Sequence, residues 1–185
     1  IARALVDGHH FSLATTVAII RSALDALEYV HTQKRYVHRD IKSDNVLLDA
    51  GRGRGFVSDF GLATPLDDDG TAQAILATYE YMAPEQLAAP DTVDQRTDLY
   101  SLGVMFYELL TGERPVGAWL PASQVNPGVP LAVDQIVSRL LARKAANRYA
   151  DIHELLAALS VQRPRMETGR ITSASEQVET PHDSF

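Results

Sequence analysis

The stretch DLYSLGVMFYELL, Asp98 to Leu110, puts apolar residues on nearly every side of a helix. Such a helix normally belongs at the centre of a domain, with other elements packed around it. It falls short of the roughly 20 residues that a bilayer span needs. It also carries Glu108 and meets Gly112, a residue suited to the left-handed turn that ends helices. At 185 residues the chain is long enough for one domain with a sizeable core.

Further helices are expected on either side. From Leu13 to His31, the residues Val17, Ile20, Leu24, Leu27 and His31 recur at spacings of three and four, which predicts one buried face. Val133, Ile136, Val137, Leu140 and Leu141 mark a second amphipathic helix. A last helix is expected near Asp151, where an acidic cap precedes Glu154 by three residues. Three short β-prone pieces, at 36–38, 45–49 and 55–60, interrupt this pattern. Between the last two lies AGRGRG, Ala50 to Gly55. A phosphate-cradling loop should lead from a strand into a helix N-terminus. Here a strand follows, so the glycines are read as a hairpin tip. Residues 62–82 lack periodicity and read as a long ordered loop. The Pro- and Gly-rich ERPVGAWLPASQVNPGVP reads as surface connection. The polar residues after Arg163 read as a disordered tail or linker, giving a domain over 1–160 and a tail over 161–185.

Composition excludes several functions. Lys plus Arg number 17 against 24 Asp plus Glu, a net charge of −7 that argues against nucleic-acid or anionic-membrane partners. With no Cys, disulfides, thiolate zinc sites and a Cys nucleophile are ruled out. The chain starts at Ile1 without a visible signal peptide, so it is expected to begin partway through a longer protein.

The chemistry concentrates in YVHRDIKSDNVLLD, Tyr36 to Asp49, where two acids, basic residues, a His and an amide sit between apolar anchors. DFG (Asp59, Phe60, Gly61) and APE (Ala83, Pro84, Glu85) follow in order, then DLYSLGVMFYELLTGERP and Arg148 within NRY. This ordered set resembles the eukaryotic-type (Hanks-type) Ser/Thr protein kinases, over their C-terminal lobe and across roughly Leu13 to Leu159. IKSDNVLL and YMAPEQL are nearer to bacterial members than to animal ones. The implied fold is mainly α, a helical lobe whose short β-hairpin carries the catalytic loop, with the N-terminal β lobe absent from this chain.

The resemblance implies transfer of the ATP γ-phosphoryl group to Ser/Thr hydroxyls of protein substrates, a reaction driven by positioning and electrostatic stabilisation. By that resemblance Asp40 is the base that accepts the hydroxyl proton and Lys42 places positive charge at the γ-phosphate. Asn45 and Asp59 ligate Mg²⁺, as hard oxygen donors should. Leu47 lies under the adenine ring. Taken singly, these residues also suit turns, caps and buried strands. His38 and Phe60 are read as structural. Asp98 is matched to a residue that holds the catalytic-loop backbone, with an N-cap as its simpler role. Glu85 and Arg148 are matched to a stabilising ion pair. Thr64, Thr71 and Thr78 are candidate phospho-acceptors, Thr71 as the regulatory site whose added phosphate could pair with Arg39 and Thr78 as a contact of the catalytic Asp. The run Asp67 to Asp69 reads as a solvated acidic turn. Ala77 stands where the family usually has Gly.

Two other readings remain at this stage. A small-molecule phosphotransferase of the aminoglycoside-kinase type shares the Asp-to-Asn loop but usually lacks YMAPEQL. A pseudokinase scaffold would bind partners without turnover. Without a Gly-rich loop or strand Lys, this segment alone is expected to be inert. Cytoplasmic placement is expected, as a free protein or as part of a membrane-anchored one, with no membrane contact from this segment.

Overall fold

The computed structural model of the chain describes residues 1–6, 11–49, 54–59 and 79–161. Helix α1 (Ala2–Val6) precedes α2 (Leu13–Tyr29). Ser12 caps α2, its hydroxyl accepting the Thr15 N–H at 3.1 Å. Ile19, Ile20, Ala23, Leu24 and Leu27 form the buried face of α2. The helix widens into a π-helical turn, Val30–Lys34, which Arg35 ends in a left-handed conformation at φ 50°.

The expected strand at 36–38 does not form among the described residues. The His38 and Arg39 amides bond to the Asp98 side chain rather than to a neighbouring strand. A 3₁₀ turn, Ser43–Asn45, leads into β1 (Val46–Asp49), which pairs antiparallel with β2 (Arg54–Val57). Val46 stands opposite Val57, Leu47 opposite Phe56 and Asp49 opposite Arg54. That pairing agrees with the hairpin reading. The tip residues 50–53 lie outside the described residues.

Next come α3 (Pro84–Ala88) and α4 (Arg96–Thr111). Every residue from Leu99 to Leu110 except Tyr100 is buried, as the apolar pattern required. The helix ends at Gly112, φ 77°, whose N–H returns to the Glu108 carbonyl at 2.8 Å. Around it pack α2, α5 (Ala122–Val125) and α6 (Leu131–Leu140). Gly103 marks the closest approach: a Cβ there would stand 2.6 Å from the Leu140 Cβ. Helix α5 corrects the reading of the Pro/Gly-rich stretch as connection alone. Asn126 pins the end of α5 to α4 by donating to the Leu110 carbonyl at 2.8 Å.

Helix α7 (Ile152–Val161) packs on α2. Its start is capped as expected, with Asp151 Oδ1 accepting the Glu154 N–H at 2.9 Å and Glu154 accepting the Ala150 N–H at 2.7 Å. Among the described residues the architecture is therefore mainly α with a two-stranded sheet, matching the expected class. No helix among them is long and apolar enough to cross a membrane. The proposed tail lies outside the described residues beyond Val161, as do Phe60, Gly61, Thr64, Asp67 to Asp69, Thr71, Ala77 and Thr78.

Candidate active site

The central helix positions the loop. Asp98, in the first turn of α4, is fully buried. Its Oδ2 accepts the His38 N–H at 2.8 Å and its Oδ1 the Arg39 N–H at 2.7 Å. His31 Nε2 lies 2.7 Å from the same Oδ2. Asp98 is not the N-cap, a position held by Gln95; its carboxylate serves the loop. Hydrogen bonds to a buried carboxylate are short and strong. They hold Arg39 in the left-handed region at φ 67°, uncommon for a residue with a β-carbon.

The next residue is Asp40. Its Oδ2 receives Lys42 Nζ at 3.0 Å and Asn45 Nδ2 at 2.8 Å. Asn45 Nδ2 also donates to the Asp40 carbonyl at 2.9 Å. Both protons of the Asn45 amide are thereby used within the loop, so its oxygen is the group left to ligate. Antiparallel pairing of β1 and β2 brings Asp59 to the same end. The Ser58 N–H donates to the Asn45 carbonyl at 2.8 Å. The Ser58 hydroxyl lies between that carbonyl (3.1 Å) and Asp59 Oδ2 (3.4 Å). Asp59 is exposed and left-handed, φ 55°. A carboxylate and an amide oxygen at one strand end suit Mg²⁺, which takes one or two protein oxygens together with water and phosphate. No group of three or more His, Cys, Asp or Glu among the described residues offers an alternative metal cage.

Leu47 alternates outward from β1 and is 60% exposed, beside Phe56 at 53% on β2. The neighbouring pair, Val46 and Val57, turns into the core. The hairpin thus presents an apolar pair on its outward face.

His38 is buried, and its Nδ1 accepts the Asp40 N–H at 3.3 Å. Burial pushes the imidazole below its ordinary range against the pull of the Asp98 and Asp40 charges. The neutral ring is the form that can accept from Asp40.

Behind the loop, the APE segment is fixed to the helices. Arg148 Nη1 and Nη2 bond the two Glu85 oxygens at 2.5 and 2.8 Å, and Thr97 adds 3.1 Å. Burial works against the charge of Glu85, yet the Arg148 bonds and charge, together with its backbone and Thr97 bonds, hold the carboxyl below the usual range. Sequence reasoning missed three links here. His31 was read as part of an apolar face. Ser43 bonds the Tyr81 hydroxyl at 2.9 Å, which in turn donates to buried Glu108. Gln86 reaches from α3 to the Arg39 carbonyl at 3.0 Å. Only the placement of Gln86 directly after APE offered a signal.

The protein kinase domain family matches residues 1–159. The chain belongs to that family. Its kinase domain is 38% identical over 174 residues to the serine/threonine-protein kinase Pkn1 of Myxococcus xanthus, covering 83% of this chain and 25% of the relative. It is 36% identical over 160 residues to the serine/threonine-protein kinase PknB of Mycobacterium leprae, covering 77% and 25%. The chain thus spans about a quarter of the length of these curated relatives. Among solved structures, the kinase domain of Mycobacterium tuberculosis PknI superposes with a TM-score of 0.67 at 30% identity. That match covers 86% of this chain and 60% of that one. The relation to bacterial Hanks-type kinases expected from the motifs is therefore shown, and ATP with Mg²⁺ is the general requirement of that family.

Proposed function

We propose that the full-length protein transfers the γ-phosphoryl group of ATP to Ser or Thr hydroxyls of protein substrates. The observation that carries this reading is the Asp40 cluster: one carboxylate oxygen held by Lys42 and Asn45, with the loop backbone fixed by Asp98. In this reading Asp40 orients the substrate hydroxyl and takes its proton, an effect worth about 10²–10⁴-fold. Lys42 holds positive charge where negative charge develops on the transferred group. Asn45 and Asp59 would hold Mg²⁺, which neutralises phosphate charge when bound. Leu47 would support the adenine ring.

The built Glu85–Arg148 anchor favours a protein kinase over a small-molecule phosphotransferase, whose members usually lack the APE segment. A site of this kind needs a supply of ATP, so we assign the domain to the cytoplasm. The test is ATP-dependent phosphorylation of a generic protein substrate by the full-length protein. Activity that Asp40→Asn and Asp59→Asn both abolish is expected. Equal activity in either variant would refute the assigned roles, and a protein without any transfer would favour the pseudokinase reading. The isolated 1–185 segment is expected to be inert.

A further inference from the structure

We infer that Gln86 is a positioning residue for Asp40, so that the setting of the catalytic loop depends on the seating of the Ala83–Glu85 segment. The inference rests on the catalytic reading of Asp40 given above.

The side chain of Gln86 makes two bonds in opposite directions. Its Oε1 accepts the Ala83 N–H at 2.9 Å, and its Nε2 donates to the Arg39 carbonyl at 3.0 Å. Reversing the amide would set donor against donor at one end and oxygen against oxygen at the other, so the two partners fix its orientation. Ala83 lacks a polar side chain, so only half of a capping box exists and Gln86 supplies it.

The Arg39 carbonyl belongs to the peptide unit that joins Arg39 to Asp40. The opposite edge of that unit is the Asp40 N–H, which His38 Nδ1 accepts at 3.3 Å. The preceding N–H, that of Arg39, is held by Asp98. Three side chains from separate parts of the sequence therefore fix the backbone on which the Asp40 carboxylate is mounted. Arg39 is left-handed at φ 67°, a conformation that persists only where its surroundings enforce it. Of the three grips, Asp98 and His38 are buried, whereas the Gln86 bond lies at the exposed surface. It is also the only one of the three made by a residue adjoining the APE segment.

That segment is itself seated from the other side. Glu85, the neighbour of Gln86, is bonded to Arg148 and Thr97. A displacement of residues 83–85 would carry Gln86 away from Arg39 while leaving the Asp98 and His38 bonds in place. The peptide unit would then be gripped at its Asp40 N–H edge alone, and the setting of Asp40 would loosen.

Two variants separate this role from capping. Gln86→Glu keeps an acceptor for the Ala83 N–H at the same reach but cannot donate to Arg39. Gln86→Leu removes both bonds. In the full-length protein, Gln86→Glu should lower kcat about tenfold, the equivalent of one lost hydrogen bond. KM for ATP and for a peptide substrate should stay within about twofold, and Tm within about 2 °C, because the cap survives. Hydrogen exchange at the Asp40 amide should quicken about fivefold or more. Gln86→Leu should show the same kcat loss plus a drop in Tm. A Gln86→Glu protein with kcat and Asp40 exchange unchanged overturns the inference. So does a kcat loss confined to Gln86→Leu, which would mark a cap only. If the full-length protein transfers no phosphate at all, the proposed function fails, and exchange at Asp40 alone decides the role of Gln86.

Discussion

Arg148 and Asp40 each carry a full charge in one domain, but their surroundings differ in a way that separates stability from chemistry. All five guanidinium donors of Arg148 find protein acceptors: two Glu85 oxygens and the carbonyls of Ala142, Arg96 and Arg143. Its side chain is fully buried and lies over the Tyr100 ring. Asp98 is similarly filled, with three partners. The side-chain bonds of Asp40 all fall on Oδ2 among the described residues, and its carboxylate is about one-third exposed. Asp59 touches only the Ser58 hydroxyl there, at 3.4 Å. Charges whose bonding capacity is filled by the protein hold the fold. Those with capacity left over, aimed at solvent, are the ones able to meet a substrate or a cation.

Exchanging roles between the two clusters is the sharpest way to break this comparison. Asp40→Asn is expected to lower kcat by about 10²–10⁴-fold with Tm nearly unchanged. An equal loss of stability would mean that Asp40 is structural after all. Arg148→Met should do the reverse, destabilising the domain by about 3–5 kcal/mol in denaturant titrations because Glu85 is left charged and unpaired. Gly103→Ala probes the packing of α4 against α6. Overpacking against Leu140 should outweigh the helix-propensity gain and leave a net loss of about 1–2 kcal/mol. An unchanged Tm would show that α4 and α6 separate easily.

The smallest effect is expected from pH. Burial lowers the folded pKa of His38 below its ordinary 6.5, so the unfolded chain binds the proton first. The stability that His38 contributes is present above pH 6.5 and is lost as pH falls through the lower, folded value. Glu108 acts with the opposite sign. Burial raises its carboxyl above 4.5, so its contribution is present below 4.5 and is lost as pH rises through the raised value. His38→Phe should therefore flatten the fall in Tm between pH 6.5 and 5. A curve identical to that of the unsubstituted protein would contradict a neutral His38.

The Asp40 cluster was legible because its chemistry is local. Asp40, Lys42 and Asn45 lie within six residues, and a hairpin is the simplest way to return Asp59 to them. The central helix was legible because apolar residues on all sides leave it no surface position. Other links join residues far apart in sequence, and periodicity is blind to them. His31 keeps the spacing of a core residue, yet its ring nitrogen serves Asp98. Tyr36 to His38 has strand-like residues, but the Tyr36 amide returns to the Val30 carbonyl and the His38 amide goes to the buried Asp98 carboxylate. Helix α5 sits in a Pro- and Gly-rich stretch whose composition hides it, and the Asn126 bond to α4 stabilises it from outside.

The most direct test uses a paramagnetic Mn²⁺–nucleotide complex in place of Mg²⁺–ATP, added to the isotopically labelled full-length protein. The Asn45 side-chain amide and the Asp59 backbone amide should broaden together at low Mn²⁺, while the Arg148 guanidinium signals stay sharp. Broadening of only one of the two, or of neither at saturating nucleotide, would contradict a shared cation position beside Asp40.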